Sequence, residues 1–268
     1  MNKHFRTGFE RFLTLLFREI KDLGRFPYFE SILFILIFQT ISKTGVHFEI
    51  WRSLEESNLT QFISINYFQY LNGQISGLYL IIALSSSILS YLSISYRRDI
   101  GFMKTEFSFP ISRIVIYLAK FLGHFLILFL LVFTSVSLSS CIRNFDPAFV
   151  PLNELILYLF MVFTEAFSTV FLVTSITVFL SFLVKKPILP LVISFLLLYV
   201  FQMISFQLRN SILLLPFSLG SFEERFFMAT MQGTFSLFVF EPLLPSILFS
   251  LVAFFFGYYF VVRRMQIP

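Results

Sequence analysis

Apolar residues along this chain follow two patterns, one periodic and one continuous. Near the N-terminus Phe9, Phe12, Leu13, Leu16, Phe17 and Ile20 recur at helical spacing, and Glu10, Arg11, Arg18, Glu19 and Lys21 occupy the other side. That spacing predicts an amphipathic helix over residues 1–25, lying in a membrane interface with its basic residues toward anionic lipid head groups. A secretory signal is not expected, because it needs a short basic head followed by an unbroken apolar run and a small-residue cleavage site. Past residue 25 the pattern turns continuous, with apolar stretches at about 26–43, 67–96, 114–140, 154–184, 187–206 and 243–262. Each is near or above the ~20 residues a helix needs to cross the hydrocarbon core. The expected fold class is all-α and integral to the membrane, with six transmembrane helices in one domain over 26–268 behind the interfacial helix. The second and fourth stretches exceed a perpendicular crossing and are expected to tilt or project.

Three connections are too long for simple turns. Residues 44–66 are polar and contain Trp51, Glu55 and Glu56, whereas residues 97–113 are basic. Residues 207–242 mix apolar runs with Pro216, Gly220, Glu223, Glu224, Gly233 and Pro242. This last segment is too apolar for a free loop and too broken for a span. Short helices dipping part-way into the outer leaflet are expected there, with the Glu223–Glu224 pair in a solvated loop. Pro187 and Pro190 open the fifth stretch, where a missing backbone donor costs little.

Basic residues set the expected orientation. With the N-terminus inside, Lys3, Arg6, Arg11, Arg18, Lys21, Arg25, Arg97, Arg98, Lys104, Arg113, Lys120, Lys185, Lys186, Arg263 and Arg264 are cytoplasmic. Lys43, Arg52, Arg143, Arg209 and Arg225 are outside, and the two sets account for all 20 Lys and Arg. This fifteen-to-five asymmetry is the positive-inside pattern, so a multi-pass cell-membrane protein with both termini cytoplasmic is expected.

Composition narrows the classes further. The chain is 57% hydrophobic and 13% charged with a mean hydropathy of +0.84, too little polar surface to cover a soluble domain of this size. Its net charge of +5 is placed at the edges of apolar runs rather than in an aromatic-interleaved stripe, which argues against a nucleic-acid partner. The single cysteine, Cys141, excludes an internal disulfide framework, and His4, His47 and His124 show no ligand spacing, so no metal site is expected.

The 97–113 connection reads Arg98-Asp99-Ile100-Gly101-Phe102-Met103-Lys104-Thr105-Glu106-Phe107-Ser108-Phe109-Pro110-Ile111-Ser112-Arg113, with Lys120 beyond. Residues 102–109 suit a short stretch along the membrane surface, which Pro110 ends. Ser112 suits the N-cap of the next helix. Arg113 and Lys120 are expected at the cytoplasmic head-group level. This segment resembles the cytoplasmic loop of the type-2 class of ABC exporter permeases. In that class a charged-x-x-Gly-Thr-Leu-Glu run leads to Ser/Thr-x-Pro-Val/Ile-Ser-Arg and then Gly-Lys. Gly101, Pro110, Ser112, Arg113 and Lys120 match in identity and spacing, and Ile111 is a permitted variant. Phe102, Lys104, Glu106 and Ala119 depart from the pattern. An interfacial N-terminal helix, six spans, Leu214-Leu215-Pro216-Phe217-Ser218 and the broken outer segment add an architectural likeness.

The resemblance implies a transport subunit that pairs with a second permease copy, homo- or heterodimeric, in membrane lipid. It also implies docking of residues 97–113, including Asp99, Lys104 and Glu106, into a cytoplasmic ATP-binding cassette subunit. The Lys185-Lys186-Pro187 turn is the candidate second contact. No Gly-x-x-x-x-Gly-Lys phosphate loop occurs in the chain, so ATP and Mg are expected in the partner and no cofactor here.

Polar residues within the spans supply the remaining candidates. Glu165, mid-way along the fourth stretch, is either a pathway group or a protonated carboxyl bonded to a nearby Ser or Thr. Glu30, near the inner end of the first, is expected to anchor to Arg25 or head groups. Asn66, Gln69, Asn72, Gly73, Ser76 and Gly77 cluster near the outer end of the second stretch. Gly73-x-x-x-Gly77 permits close helix packing there, within the subunit or at a dimer seam or substrate path. Two further function classes remain: a non-transporting membrane anchor or signalling subunit that relays ATPase motion, and an intramembrane enzyme. Glu223-Glu224 lacks a partner histidine, which argues against the enzyme.

Overall fold

The computed structural model describes residues 3–25, 27–40, 74–108, 111–144, 152–207 and 219–263, and every element among them is helical. Helix α1 (Lys3–Leu23) is followed by α2 (Tyr28–Thr40). Helix α3 (Gln74–Ser90) continues as a π-helix (Tyr91–Tyr96) and a last α-turn (Arg97–Asp99). Next come α4 (Phe102–Ser108), α5 (Arg113–Asn144), α6 (Leu152–Leu183) and α7 (Ile188–Gln207). Helix α8 (Leu219–Gln232), a 3-10 segment (Leu237–Leu243) and α9 (Leu244–Arg263) follow.

Four helices among the described residues are long and apolar enough to cross a membrane: Gly77–Asp99, Arg113–Leu138, Leu155–Leu183 and Leu237–Arg263. The first and fifth expected spans correspond to shorter apolar helices, Tyr28–Thr40 and Ile188–Ile204. The difference from six is one of length. The last described residue of α2 is Thr40, and the apolar part of α7 ends at Ile204.

Helix α6 is the centre of the bundle. It packs on α9, α5, α3 and α7, and 78% of its apolar window is buried against 33% for the last helix. The uncovered face of α9 carries Leu248, Val252, Phe255, Phe256 and Tyr259, apolar enough to face lipid. Between α5 and α6 the packing is aromatic. Phe121, Phe125, Phe129 and Phe133 stack one turn apart along α5, with centroids 5.8–6.4 Å apart. Phe163, Phe167 and Phe171 do the same on α6, and the two ladders meet edge to face, at 5.3 Å for Phe129–Phe163 and 5.4 Å for Phe125–Phe167. The i,i+4 spacing puts each ladder on one helix face, and the ring quadrupoles favour the T-shaped crossing. Lipid tails are as apolar as Leu, so such packing, with interhelical hydrogen bonds, is what holds membrane helices together. Those bonds run from α3 to its neighbours: Ser86 to Thr177 at 2.9 Å, Ser181 to Ser90 at 3.1 Å, and Ser194 to Ser87 at 2.9 Å.

Helix α1 departs from the simple interfacial picture. Phe9 and Phe17 are exposed, but Glu19, expected on the polar side, is buried against α5. The approach is close because α5 carries Gly123 there. A Cβ on Gly123 would lie 2.9 Å from Glu19 Cβ. Gly123→Val is therefore expected to lever α1 away, costing about 1–3 kcal/mol by overpacking. Thermal unfolding in detergent should show a clear drop in Tm, and Tm equal to wild type would refute the seam.

Candidate functional site

Below this seam three acids and two bases meet. Helix α1 contributes Glu19 and Asp22, the last turn of α3 Arg97, α4 Glu106, and α5 Lys120. Lys120 Nζ lies 2.9 Å from Glu19 Oε1 and 3.3 Å from Glu106 Oε2, and donates to Ser93 O at 3.1 Å. Arg97 donates from Nη1 to Glu19 Oε1 and from Nη2 to Asp22 Oδ2, both at 2.9 Å, while Glu106 Oε1 stands 3.8 Å away. Lys120 is 1% exposed, Glu19 3% and Glu106 5%, so the ions are removed from water. Burial of that kind costs several kcal/mol per ion and persists only where each charge has good partners. Arg18 and Arg97 also lie over the Phe102 ring, 5.1 and 5.7 Å from its centroid, a cation–π contact that holds the start of α4 against α1.

Local sequence explains how one turn of α3 serves two sides. Arg97 and Arg98 are about 100° apart on the helix, so they point to different neighbours. Arg98 reaches the end of α6, donating to Ser181 O at 2.9 Å, Phe182 O at 3.4 Å and Lys185 O at 3.1 Å, and also to Val184 O. The Ser181 and Phe182 carbonyls are among those a helix leaves without intrahelical partners at its C-terminus, and Val184 and Lys185 follow just beyond it. The π-helix just before it, Tyr91–Tyr96, is the kind of irregularity often found at functional sites. Gly101, at φ +80°, then turns the chain into α4 with its N–H on Arg98 O at 3.1 Å. A side chain at that φ is strained, which is why glycine serves.

Several expectations change here. Glu106 is not a surface contact; it is sealed with Lys120 inside the ion-pair knot, where Lys120 faces Glu19, Glu106 and the Ser93 carbonyl and Glu106 faces Lys120 and Arg97. Asp99, Lys104, Ser112, Arg113, Lys185 and Lys186 are exposed at the same end of the bundle. Ser112 stands at the start of α5, its Oγ accepting from Val115 N at 3.4 Å. Pro110 lies outside the described residues, as do Asn66, Gln69, Asn72 and Gly73, while Gly77 is exposed. Glu30 is exposed, and Arg25 is 3.6 Å from Asp22 instead.

No protein-family model matches this chain, and no curated protein matches it either.

Mid-way along α6 a second polar pair is buried. Glu165 and Glu223, from α6 and α8, are 2% and 4% exposed, and their carboxyls share a hydrogen bond. Glu223 is thus not in a solvated loop; only its neighbours Glu224 and Arg225 are exposed. The Ser or Thr partner expected for Glu165 is replaced by a second acid 58 positions later in the chain, which no local pattern reveals. Two carboxylates are both acceptors, so the bond needs a proton on one of them. A third feature escaped the sequence reading. His124 Nε2 lies 3.0 Å from Ser86 Oγ, both fully buried, so this histidine–serine contact ties α5 to α3 and offers no substrate access. Among the described residues no group of three His, Cys, Asp or Glu is placed to hold a metal.

Lys120→Met leaves Glu19 and Glu106 short of a cation and is expected to cost about 3–5 kcal/mol. Adding Glu19→Gln to it should restore part of that stability. Thermal unfolding of the single and double variants checks this, and additive losses would show that the two side chains are uncoupled. At the other pair, Glu165→Gln keeps a donor for Glu223 and should stay within about 1 kcal/mol of wild type, whereas Glu165→Ala should cost about 1–3 kcal/mol. Equal unfolding temperatures for the two variants would remove the hydrogen bond from the account.

Proposed function

We propose that this protein is the membrane subunit of an ATP-driven exporter, moving a substrate when a separate ATP-hydrolysing subunit acts on residues 97–113. The observation that carries the reading is mechanical. Arg97 and Arg98, side by side, connect the loop segment to α1 and to the end of α6, while Lys120 joins α5 to Glu106 of α4. A push on α4 would thus reach four helices at once, and α6 is the one packed on most of the others. The exposed polar groups Asp99, Lys104, Ser112, Arg113, Lys185 and Lys186 provide the surface for such a partner. Supporting it in the sequence is the Gly101…Pro110-x-Ser112-Arg113…Lys120 spacing.

In this reading α2 and α7 complete a six-span subunit with both termini in the cytoplasm of a cell, and α8 with the 3-10 segment sits part-way into the outer leaflet. A second permease copy completes the transporter, and ATP with its Mg belongs to the partner. Closure of the ATPases biases the helices between inward- and outward-facing arrangements through contacts that differ between the two. A relay without transport uses the same mechanical path and differs only in moving no cargo.

Co-expression with a candidate ATP-binding cassette subunit from the same genome should yield a complex stable in detergent. Gly101→Val and Arg113→Ala should then depress permease-stimulated ATP hydrolysis, because an interface anchor is worth about 2 kcal/mol or more, roughly thirtyfold in affinity. Unaltered stimulation in both variants would exclude docking on this loop.

A further inference from the structure

Between the end of α1, the start of α2 and the last turns of α3 lies a cavity of about 300 Å³, within the range of small-molecule sites. Its wall is divided along α3. Leu89 and Leu92 line one part, and Tyr96 and Arg97 line the other, with Asp22 of α1 and Tyr28 of α2 beside them. At about 1.5 Å of rise per residue, Leu89 and Arg97 are roughly 12 Å apart along the helix. One end is therefore polar and the other apolar over a length suited to an amphiphile.

The place of the cavity narrows the amphiphile. Helix α1 is amphipathic, and α2 leaves it with Phe34, Ile35 and Phe38 exposed, an apolar surface that belongs in hydrocarbon. The α1–α2 turn is thus where a bilayer passes from head groups to chains. Half-exposed Tyr28 and Tyr96 fit that level, since tyrosine favours the membrane–water boundary and its hydroxyl can donate to an oxygen. Charge selects the head. The adjoining ion-pair cluster holds four cations, Arg18, Arg25, Arg97 and Lys120, against three anions, Glu19, Asp22 and Glu106. The balance is one positive charge. Arg25 is 65% exposed and only 3.6 Å from Asp22 at its nearest, which leaves most of its donors for a ligand.

We infer that this cavity binds one membrane glycerophospholipid, its phosphodiester held by Arg97 and the Tyr28 and Tyr96 hydroxyls with Arg25 reaching in from beside Asp22, and its first acyl carbons against Leu89 and Leu92. The bound lipid would wedge α2 and α3 beside the ion-pair knot. This does not depend on any ATPase partner, so its failure would leave the proposed function standing, and the reverse.

Native mass spectrometry of the full chain in detergent tests it, with phosphatidylglycerol titrated against diacylglycerol of the same chains and against inorganic phosphate. One phosphatidylglycerol should be retained, and diacylglycerol should not. Tyr28→Phe/Tyr96→Phe, which leaves the knot intact, should weaken retention about tenfold, worth about 1.4 kcal/mol, at unchanged Tm. Leu92→Trp, which fills the apolar end, should abolish it. Should that variant not fold, the tyrosine pair decides alone. Equal retention of diacylglycerol, wild-type retention by the tyrosine double variant, or displacement of the lipid by inorganic phosphate would each overturn the assignment, the last by marking a free-anion site.

Discussion

An ammonium group 1% exposed in the α4 end of the bundle is the constraint around which that end is built. Lys120 lies on a helix whose buried residues are mostly apolar, and a lone cation there would cost several kcal/mol. It is accommodated because Glu19 arrives from α1, Glu106 from α4 and a carbonyl from the π-helix of α3. Each acid then needs more than one cation, and Arg97 supplies the second. Four elements, α1 and the consecutive α3, α4 and α5, are held in one arrangement, since removing Lys120 leaves Glu19 and Glu106 short of a cation. Gly123 makes it possible by letting the α1 backbone come within reach.

The rest of the bundle relies on weaker and more numerous contacts. Edge-to-face Phe pairs join α5 to α6, and hydroxyl pairs join α3 to α6 and α7. Single hydroxyl bonds in membrane proteins average about 0.6 kcal/mol, so these helices can slide or tilt at small cost. Mid-way along α6 the Glu165–Glu223 bond holds α8 on α6 through a proton.

Much of this was legible as letters. The long apolar stretches and the 3.6-residue periodicity of residues 9–20 report helices and their environment directly, because burial in lipid is a property of each residue in turn. Ser112 was also readable, since a helix cap is a local matter, whereas the left-handed turn at Gly101 came only with the structure. The number of membrane-length helices was less so: hydropathy marks apolar letters, whereas α2 and the apolar part of α7, Ile188–Ile204, are shorter than the four helices long enough to cross.

What the chain determined by itself, then, is helix and the membrane-like apolar character of its long segments. Tertiary structure alone decided that Glu19, Glu106 and Lys120 are interior, that Glu223 meets Glu165, and that His124 meets Ser86. The physical reason is common to all of them. A charged or polar residue near the end of an apolar run reads as facing water, and only a partner brought from a distant segment makes burial the lower free energy.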